Sequence, residues 1–291
     1  MTVGDNVVDI YPSLGYLFPG GNALNVAVAA RRSGVEAAYV GAIGTDEFGR
    51  VISSALKDEQ VSTERLRVIE GPSAYCVIEL HGGDRRFVGS DIGVSRFRLD
   101  EADFEYLARF DCIHTGDSSR TEEQLKDMAA VARLSFDFSD KPSEYYRPLL
   151  DKVWLACFSG TRLDTAGVGD LTRRVLDAGP ELVLVTEGPR GALLSSASGE
   201  SVHVEADPAT PLDTLGAGDA VIGSVLAGVL RGEDIETVMS SAMSLAARVC
   251  AHHGAFGHGR SYPQTDGYRS GHAGQHQHGG TGDNEGTSRR D

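Results

Sequence analysis

The stretch Asp213-Thr214-Leu215-Gly216-Ala217-Gly218-Asp219 leads directly into an apolar helical pattern that covers residues 220–230. Its small residues let a ligand approach the backbone closely. The start of the helix offers N–H groups and a partial positive charge, both of which suit an anion. Asp219 falls in the first helical turn, close enough to take a proton from an attacking hydroxyl. The stretch therefore predicts either a phosphoryl-transfer site or a glycine-rich turn in which Asp219 only stabilises the helix start.

Outward from this stretch, short apolar runs alternate with helical patterns along most of the chain. Predicted strands cover residues 2–8, 38–43, 75–80, 112–115, 135–138, 153–156, 182–186 and 192–196. Predicted helices cover residues 23–33, 48–59, 122–133, 168–178, 217–231 and 235–252. This alternation indicates an α/β fold with a mostly parallel central sheet that helices cover on both faces. Ligands bind beyond the carboxyl ends of the strands in such sheets.

Residues 73–93 break the alternation, because two strand patterns follow each other with no helix between them. The residues that join them, His81-Gly82-Gly83-Asp84, contain pairs typical of hairpin turns. Residues 11–18 form another strand-like piece without a helix behind it. Together these segments predict a small β-sheet that stands over the site as a lid. Because the strands of a lid have exposed edges, we also expect a homodimer that forms through it.

The charge balance narrows the classes of partner. The chain of 291 residues has 27 Lys+Arg and 42 Asp+Glu, a formal net charge of −15, which disfavours nucleic acids and anionic membranes. No apolar run approaches the roughly 20 residues that a bilayer span needs, and the first ten residues carry acids and no basic leader. The four cysteines are far apart and form no CxxC pair, which is typical of reduced thiols. We therefore expect a cytoplasmic protein with no nucleic-acid or membrane partner.

The composition changes after residue 257. Residues 258–291 are rich in Gly, His, Gln, Ser and Thr and contain no aliphatic residue larger than Ala. Such a segment buries too little apolar surface to offset its ordering entropy, so it is predicted to be a disordered low-complexity tail. His272, His276 and His278 could bind a transition metal. Their spacing is not that of a closed zinc site, which favours a solvated tail.

A second glycine-rich segment, Pro19-Gly20-Gly21-Asn22-Ala23-Leu24-Asn25, opens an earlier predicted helix. The paired glycines permit close backbone approach, and the asparagines offer amide donors and acceptors. Residues 41–49 follow with a further glycine-rich run. In combination, these segments resemble the two signatures of the ribokinase-like (PfkB) carbohydrate kinases, the first over residues 20–49 and the second over residues 213–219. The resemblance covers about residues 1–257, which we expect to form one kinase domain.

The resemblance implies a three-layer α/β/α sandwich and ATP-dependent phosphoryl transfer to a sugar hydroxyl, with Mg²⁺ and, in many members, K⁺. It implies that Asp219 is the catalytic base and that the N–H groups of Gly216, Ala217 and Gly218 form the anion hole. The family's sugar-binding positions match Asp9, Gly20, Gly21 and Asn25. Its nucleotide-binding positions match Thr186, Gly188 and Gly191, with His253 and Gly254 beside the adenine. Backbone carbonyls near Asp213 and Leu215 match its monovalent-cation site.

One motif of the family is missing. Its members usually carry an NxxE motif after a mid-chain strand, where it organises water around Mg²⁺. Here the region is Cys157-Phe158-Ser159-Gly160-Thr161-Arg162-Leu163-Asp164, with no Asn–Glu pair. Asp164 is a candidate replacement, and the alternative is an exposed acid in a loop.

Four fragments resemble one branch of the family, the fructoselysine 6-kinases. They start at Gly4 (GDNVVDIYP), Gly20 (GGNALNVAV), Phe136 (FDFSDK) and His252 (HHGAF). The resemblance implies phosphorylation of the 6-hydroxyl of a fructosamine, an adduct of a sugar and an amine. The alternatives are a kinase of fructose, ribose or 2-keto-3-deoxygluconate, and a non-catalytic protein that binds a sugar or nucleotide.

An acidic site would suit the ammonium groups of such a substrate. Asp137 lies in an apolar strand pattern, and a buried carboxyl needs a partner or a ligand, so we predict a substrate-binding role for it. Other candidates, each with a solvated or structural role as the alternative, are Asp5, Glu79, Asp91 and Asp140. Arg85 and Arg86 of the lid could reach a phosphate, but we expect them to point outward.

Overall fold

The computed structural model describes residues 1–81, 84–207 and 210–262. Strands β1 to β15 cover, in chain order, Thr2–Val3, Val7–Tyr11, Tyr16–Gly20, Tyr39–Val40, Ala42–Gly44, Arg67–Ile69, Tyr75–His81, Asp84–Asp91, Cys112–Gly116, Arg133–Asp137, Leu155–Ser159, Leu182–Thr186, Ala192–Ser196, Ser201–Val204 and Arg260–Ser261. Helices α1 to α8 cover Asn22–Arg32, Glu47–Asp58, Glu101–Leu107, Leu125–Val131, Ser143–Tyr146, Thr165–Leu176, Ala217–Leu230 and Ile235–Cys250. Short 3₁₀ turns cover Asp117–Ser119, Glu122–Gln124, Arg147–Lys152 and Gly188–Arg190.

The central sheet joins eight strands in the order β14-β13-β12-β11-β10-β9-β1-β4. Neighbours from β12 to β4 pair in parallel, and β13 and β14 add antiparallel pairs at one edge. Alternate side chains of a strand point to opposite faces. Phe136, Phe158 and Val185 pack with α4 and α6 on one face, and Leu155 and Leu184 pack with α1, α7 and α8 on the other. The predicted α/β sandwich is confirmed.

A smaller sheet joins five strands in the order β15-β3-β2-β7-β8. Strands β7 and β8 form the predicted antiparallel hairpin, although the Gly82-Gly83 turn lies outside the described residues. Strand β2 connects this hairpin to the rest, because it pairs in parallel with β7 and antiparallel with β3. This is the small sheet that the sequence predicts as a lid.

The predicted strand over residues 2–8 is wrong as a single strand, because residues 2–3 lie in β1 and residues 7–8 in β2. The strand-like piece over residues 11–18 belongs to the small sheet as predicted, but it contains a turn between β2 and β3. The chain leaves the central sheet after β1 at Gly4, whose φ is 144°, and enters the small sheet as β2. A Cβ at Gly4 would lie 1.8 Å from Ser119 Oγ, so this crossing requires glycine. Residues 12–15 form the turn between β2 and β3. Asp9 therefore lies within the small sheet.

Three further differences are local. The predicted strand over residues 38–43 divides into β4 and β5 at Gly41, where a Cβ would lie 2.1 Å from Tyr39 Oη. The predicted helix over residues 122–133 is a 3₁₀ turn followed by the shorter α4. The sequence did not predict α3, whose seven residues begin with a capping box between Asp100 and Asp103. Short polar helices of this kind lack a clear apolar period.

The predicted tail begins later than residue 258. His258 Nε2 lies 2.6 Å from Glu59 Oε1, and Arg260 and Ser261 pair with Leu17 and Tyr16 of β3. Main-chain hydrogen bonds to a sheet edge need no apolar side chains, so the composition of this segment did not reveal it. The rest of the predicted tail lies outside the described residues, as do His272, His276 and His278.

Across the three described ranges, every helix falls short of the length and hydrophobicity that a membrane crossing demands. All four cysteines are free, and Cys112 and Cys157 are buried while Cys76 and Cys250 are half-buried.

Candidate active site

The turn over residues 213–219, called the signature turn below, leads into the start of α7. Gly216 is the N-cap of α7 and has the left-handed φ of 77°. A Cβ on Gly216 would lie 2.3 Å from the Cβ of Ala255, so the turn requires glycine for both conformation and space. The N–H groups of the first helical turn have no acceptor within the helix. Ala217 N–H already donates to Thr214 O over 3.3 Å, and the role of the α7 N-terminus as an anion hole stays a prediction.

Asp219 lies in this first turn, and two asparagines of α1 hold its carboxyl. Asn22 Nδ2 donates to Asp219 Oδ1 over 2.8 Å, and Asn25 Nδ2 donates to Oδ2 over 2.7 Å. Burial raises the pKa of Asp219 to about 6, although these two hydrogen bonds lower it. A carboxyl with this pKa is ionised near neutral pH but remains basic enough to accept a proton from a hydroxyl.

Asp137 lies at the end of β10 and shares the amide of Asn22. Asn22 Nδ2 donates to Asp137 Oδ2 over 2.8 Å, and the backbone N–H of Ser139 donates to Oδ1 over 2.8 Å. Burial raises the pKa of Asp137 to about 7, and the nearby charge of Asp219 raises it further toward that value. The structure thus brings Asp137 and Asp219, predicted from separate segments, onto one donor. The sequence assigned no role to Asn22, although it lies in the glycine-rich segment between assigned residues.

Asp5 is a structural acid behind this cluster. Its Oδ2 accepts from the backbone N–H of Asn22 over 2.8 Å, and its Oδ1 accepts from Ala23 N over 3.3 Å. Ser119 Oγ also donates to Oδ1 over 2.8 Å. Burial raises the pKa of Asp5, and the same hydrogen bonds oppose the rise. The carboxyl of Asp5 therefore satisfies the first N–H groups of α1 and fixes the start of that helix.

The predicted sugar-binding residues meet where β2 and β3 approach α1. A Cβ on Gly20 would lie 2.4 Å from Asp9 Oδ2 and 3.8 Å from Asn25 Oδ1, so all three residues border one space. Asp9 is buried. Asn25 Oδ1 is buried and accepts no hydrogen bond within the described protein. Gly21 has a φ of 112°, and a Cβ there would lie 2.7 Å from Asn6 Cα. The glycines thus leave room beside a carboxylate and an amide oxygen.

Asp213 joins the lid to the signature turn. Its Oδ2 accepts from the hydroxyl of Tyr11 on β2 over 2.9 Å and from Gly254 N over 3.2 Å. Its Oδ1 accepts from Leu215 N over 2.9 Å. His253 Nδ1 lies 3.9 Å from Asp213 Oδ2. The carboxyl therefore organises the turn that precedes α7, the predicted adenine segment and one strand of the small sheet.

The predicted nucleotide residues follow β12. A Cβ on Gly218 would lie 4.0 Å from Thr186 Oγ1, which places the end of β12 opposite the start of α7. Gly191 has a φ of 104°, and a Cβ there would lie 1.9 Å from Val204 O. Between them, the buried Glu187 pairs with Arg190 and with His203. The chain thus turns sharply beside the anion-binding end of α7.

The region of the missing NxxE motif is held by other contacts. Asp164 is the N-cap of α6 and accepts from Gly167 N over 2.8 Å. Arg162 pairs with Asp140 over 2.9 Å. The structure therefore gives Asp164 and Asp140 local roles. Glu79 is exposed on β7, and Asp91 Oδ1 accepts from Gly93 N, while the side chains of Arg85 and Arg86 lie outside the described part of the chain.

A separate groove of about 950 Å³ lies among α1, α2 and α3 and is lined by none of the motif residues. Two of its arginines already have partners, since Arg31 bonds to Gln60 and Arg109 pairs with Glu64. The candidate residues Asp137 and Asp219 lie instead where α1, α7 and β10 converge.

Known proteins are similar to this chain in sequence or in fold. The fructosamine kinase FrlD of Bacillus subtilis (strain 168) is 39% identical over 277 residues, which cover 92% of this chain and 96% of that protein. The fructoselysine 6-kinase of Escherichia coli (strain K12) is 32% identical over 258 residues, which cover 88% of this chain and 98% of that protein. The structure of Arabidopsis thaliana ribokinase complexed with ribose and ATP matches with a TM-score of 0.77 at 19% identity, covering 88% of this chain and 93% of that one.

The family match extends over nearly all of the described chain. Residues 10–257 match the pfkB family carbohydrate kinase, and this range contains the glycine-rich start of α1, the end of β10 and the turn before α7. The chain therefore belongs to the pfkB family of carbohydrate kinases.

Proposed function

We propose that this sugar kinase transfers the γ-phosphoryl group of ATP to the 6-hydroxyl of fructoselysine or a related fructosamine. The observation that carries the proposal is the carboxyl of Asp219, which two asparagine amides hold at the anion-binding start of α7. The relatives named above support the choice of substrate, because they are named for fructosamine and fructoselysine and match almost the whole chain.

The reaction is a direct in-line transfer in which Asp219 takes the proton of the attacking hydroxyl. The N–H groups of Gly216, Ala217 and Gly218 then face the transferring phosphoryl group, whose charge the start of α7 stabilises. Asp9 and the free acceptor Asn25 Oδ1 bind sugar hydroxyls beside Gly20 and Gly21. No covalent phosphoenzyme is needed, because the acceptor hydroxyl attacks the phosphorus itself.

ATP fits the end of β12 and the segment after α8. Thr186, Gly188 and Gly191 border the phosphates, and His253 and Gly254 lie beside the adenine. The buried His253 Nδ1 has no hydrogen-bond partner within the described protein, so an acceptor or donor of the base can use it. Gly254 has a φ of 73°, and a Cβ there would lie 2.6 Å from the ring of Phe18. This loop therefore stays narrow beside the small sheet.

Mg²⁺ accompanies ATP in our proposal, but this chain lacks the family's NxxE pair beside it. Asp164 already caps α6, and within the described ranges no three acidic, histidine or cysteine side chains gather as a metal site. For K⁺, the backbone carbonyls near Asp213 and Leu215 remain our prediction.

The carboxyls of Asp137 and Asp219 favour a cationic substrate. Asp137 lies one amide away from Asp219, and an ammonium group would gain from an ionised carboxyl that no cation neutralises. Neutral sugars such as fructose or ribose would gain only hydrogen bonds to Asp137 and no ion pair. We accordingly propose that Asp137 binds the ammonium group of the fructosamine.

We also propose that residues 1–257 act as one cytoplasmic kinase domain and that the small sheet closes over the sugar. Its outer strand β8 exposes Phe87 and Val88, and Ile92 follows it with 46% of its surface exposed. An apolar edge strand of this kind suits pairing with a second copy, and so a homodimer through the lid.

The test is ATP-dependent ADP release with fructoselysine, another fructosamine, fructose, ribose and 2-keto-3-deoxygluconate. We expect turnover with the fructosamines and a phosphate on the 6-hydroxyl, read by ³¹P NMR. Asp219→Asn should lower kcat by about 10²–10⁴, the usual range for a general base, while sugar binding is kept. Asp140→Asn is the matched control, because Asp140 is exposed and lies just after the end of β10.

Two results would contradict the proposal. Turnover with a neutral sugar alone would support the kinase activity but contradict a fructosamine as the substrate. Tight binding of sugar and nucleotide without turnover would favour a non-catalytic protein, the reading that the missing NxxE pair supports.

A further inference from the structure

Asn22 occupies an unusual position between two acids. Its Nδ2 lies 2.8 Å from Asp219 Oδ1 and 2.8 Å from Asp137 Oδ2. A primary amide nitrogen carries two hydrogens, and each carboxylate only accepts. Both hydrogens of Asn22 are therefore used, one on each carboxyl. The opposite rotamer would turn Oδ1 toward two anions, so the amide has one favourable orientation.

The backbone holds Asn22 in this place. Its N–H donates to the buried carboxyl of Asp5 over 2.8 Å, and Ser119 fixes that carboxyl in turn. On the other side, a Cβ at Gly116 would lie 2.8 Å from Asn22 Oδ1, so the strand makes room for this side chain only because it has glycine there. Asn22 is also the first residue of α1, where the helix fixes its backbone.

We propose that Asn22 is a positioning residue that aims the carboxyl of Asp219 at the acceptor hydroxyl and, because it donates to both acids, favours the ionised forms of Asp219 and Asp137. This inference rests on the proposed function, because it takes Asp219 as the base. Asn22 itself does not take the proton, since an amide nitrogen that donates twice has no basic site left.

The effect of Asn22 on the two acids follows from the fact that its amide carries no charge. Asn22 binds both carboxyls but adds no positive charge, so each acid still repels the other. The hydrogen bonds from Asn22 lower the pKa of both acids, whereas burial raises them. Without the amide, Asp219 would keep a proton at a higher pH and lose its fixed direction.

Other charged groups face the pair from the neighbouring elements. Asp5 approaches Asp219 from the segment between β1 and β2, and Asp117 approaches Asp137 from the turn after β9. Lys141 pairs with Asp117 over 2.8 Å. Cys157 of β11 is a neutral neighbour, because burial first and Asp137 second raise the pKa of its thiol. None of these groups donates to either carboxyl among the contacts described, so Asn22 alone links them.

The direct test follows the two carboxyls by ¹³C NMR in protein labelled at aspartate, with assignment from Asp219→Asn and Asp137→Asn. Asn22→Leu keeps the size of the side chain and removes both donors. We expect the titration midpoints of both carboxyls to rise by about one pH unit, as for the loss of one hydrogen bond to a charged group. Asn6→Leu is the matched control, because Asn6 is buried but bonds only to Tyr39 and Ala42.

The kinetic test uses the same variant. Asn22→Leu should lower kcat about 10- to 100-fold with the KM of the fructosamine little changed. The acid limb of its pH–rate profile should move upward in pH. In the Asp219→Asn background, Asn22→Leu should cause no further fall in kcat, because a positioning residue acts only through the base. If Asn22→Leu does not fold, Asn22→Ser, which retains one donor, should give smaller shifts of the same sign.

The outcomes separate the two proposals. Unchanged midpoints in an active enzyme, or equal losses of kcat in both backgrounds, would overturn the role of Asn22 and leave the fructosamine kinase intact. If the wild type phosphorylates no sugar of the panel but the midpoints shift, the proposed function fails and the bridge between the carboxyls stands.

Discussion

The carboxyl of Asp137 should make the protein less stable as the pH rises, and Asp137→Asn should remove that effect. Burial and the charge of Asp219 raise the pKa of Asp137 from 3.8 to about 7. Between these two values the folded chain holds a proton that the unfolded chain releases. Stability therefore falls as the pH rises through this window, and the full loss is present above about pH 7.

The size of the effect follows from the same values. At about 1.36 kcal/mol per pH unit, the rise from 3.8 to about 7 corresponds to about 4 kcal/mol. Two facts reduce it. The carboxyl keeps a partial opening to solvent, and asparagine can accept only through one oxygen where Asp137 accepts from both Asn22 and Ser139. Losing one such bond costs about 1 kcal/mol. We expect Asp137→Asn to stabilise the protein by about 2 kcal/mol at pH 8.

Thermal unfolding at pH 5 and pH 8 measures this difference. At roughly 2–4 °C per kcal/mol for a chain of this size, the Tm of Asp137→Asn should exceed that of the wild type by about 4–8 °C at pH 8 and by much less at pH 5. Asp140→Asn is the control, because Asp140 forms only an exposed ion pair with Arg162 and should show no such dependence. An equal gain at both pH values, or a loss at pH 8, would refute the desolvation argument.

Other consequences are open to measurement. The kcat/KM of the sugar should fall about tenfold per pH unit below about pH 6. The reason is that the base Asp219 must be ionised and its pKa lies near 6. A stopped assay across about pH 4.5–8 measures this fall. Tyr11→Phe removes the donor to Asp213 and should cost about 1.5–3 kcal/mol in urea unfolding, with a raised KM for the sugar. Asp103→Asn should cost about 3–5 kcal/mol by the same method, because this fully buried acid pairs with two arginines.

Much of the fold was predictable because local patterns dominate it. The predicted helix over residues 217–231 matches α7 to within one residue, since a left-handed glycine and a long apolar run mark its start and body. The first strand was not predictable in the same way. Apolar residues stand on both sides of Gly4, and the contact that excludes a side chain at this crossing is with Ser119, more than a hundred residues later.

In the candidate site too, features set by local sequence were predictable and those set by distant contacts were not. Asp219 was recognisable because its motif is contiguous, and Asp137 because a carboxyl stood in an apolar strand. Asn22 was not, since its role arises from contacts 115 and 197 residues away in sequence. No local spacing contains that information. The N-cap role of Asp164 is local, and the helical pattern that starts three or four residues later could have revealed it.

The donors around the acids support the cationic sugar that we propose as the substrate. Amides hold Asp219, an amide and a backbone N–H hold Asp137, and a hydroxyl and backbone N–H groups hold Asp5. Neutral donors fix a carboxylate without cancelling its charge, whereas a lysine or arginine would do both. The negative potential is therefore left for whatever enters. A fructosamine brings its own ammonium, and so gains where a neutral sugar only displaces water.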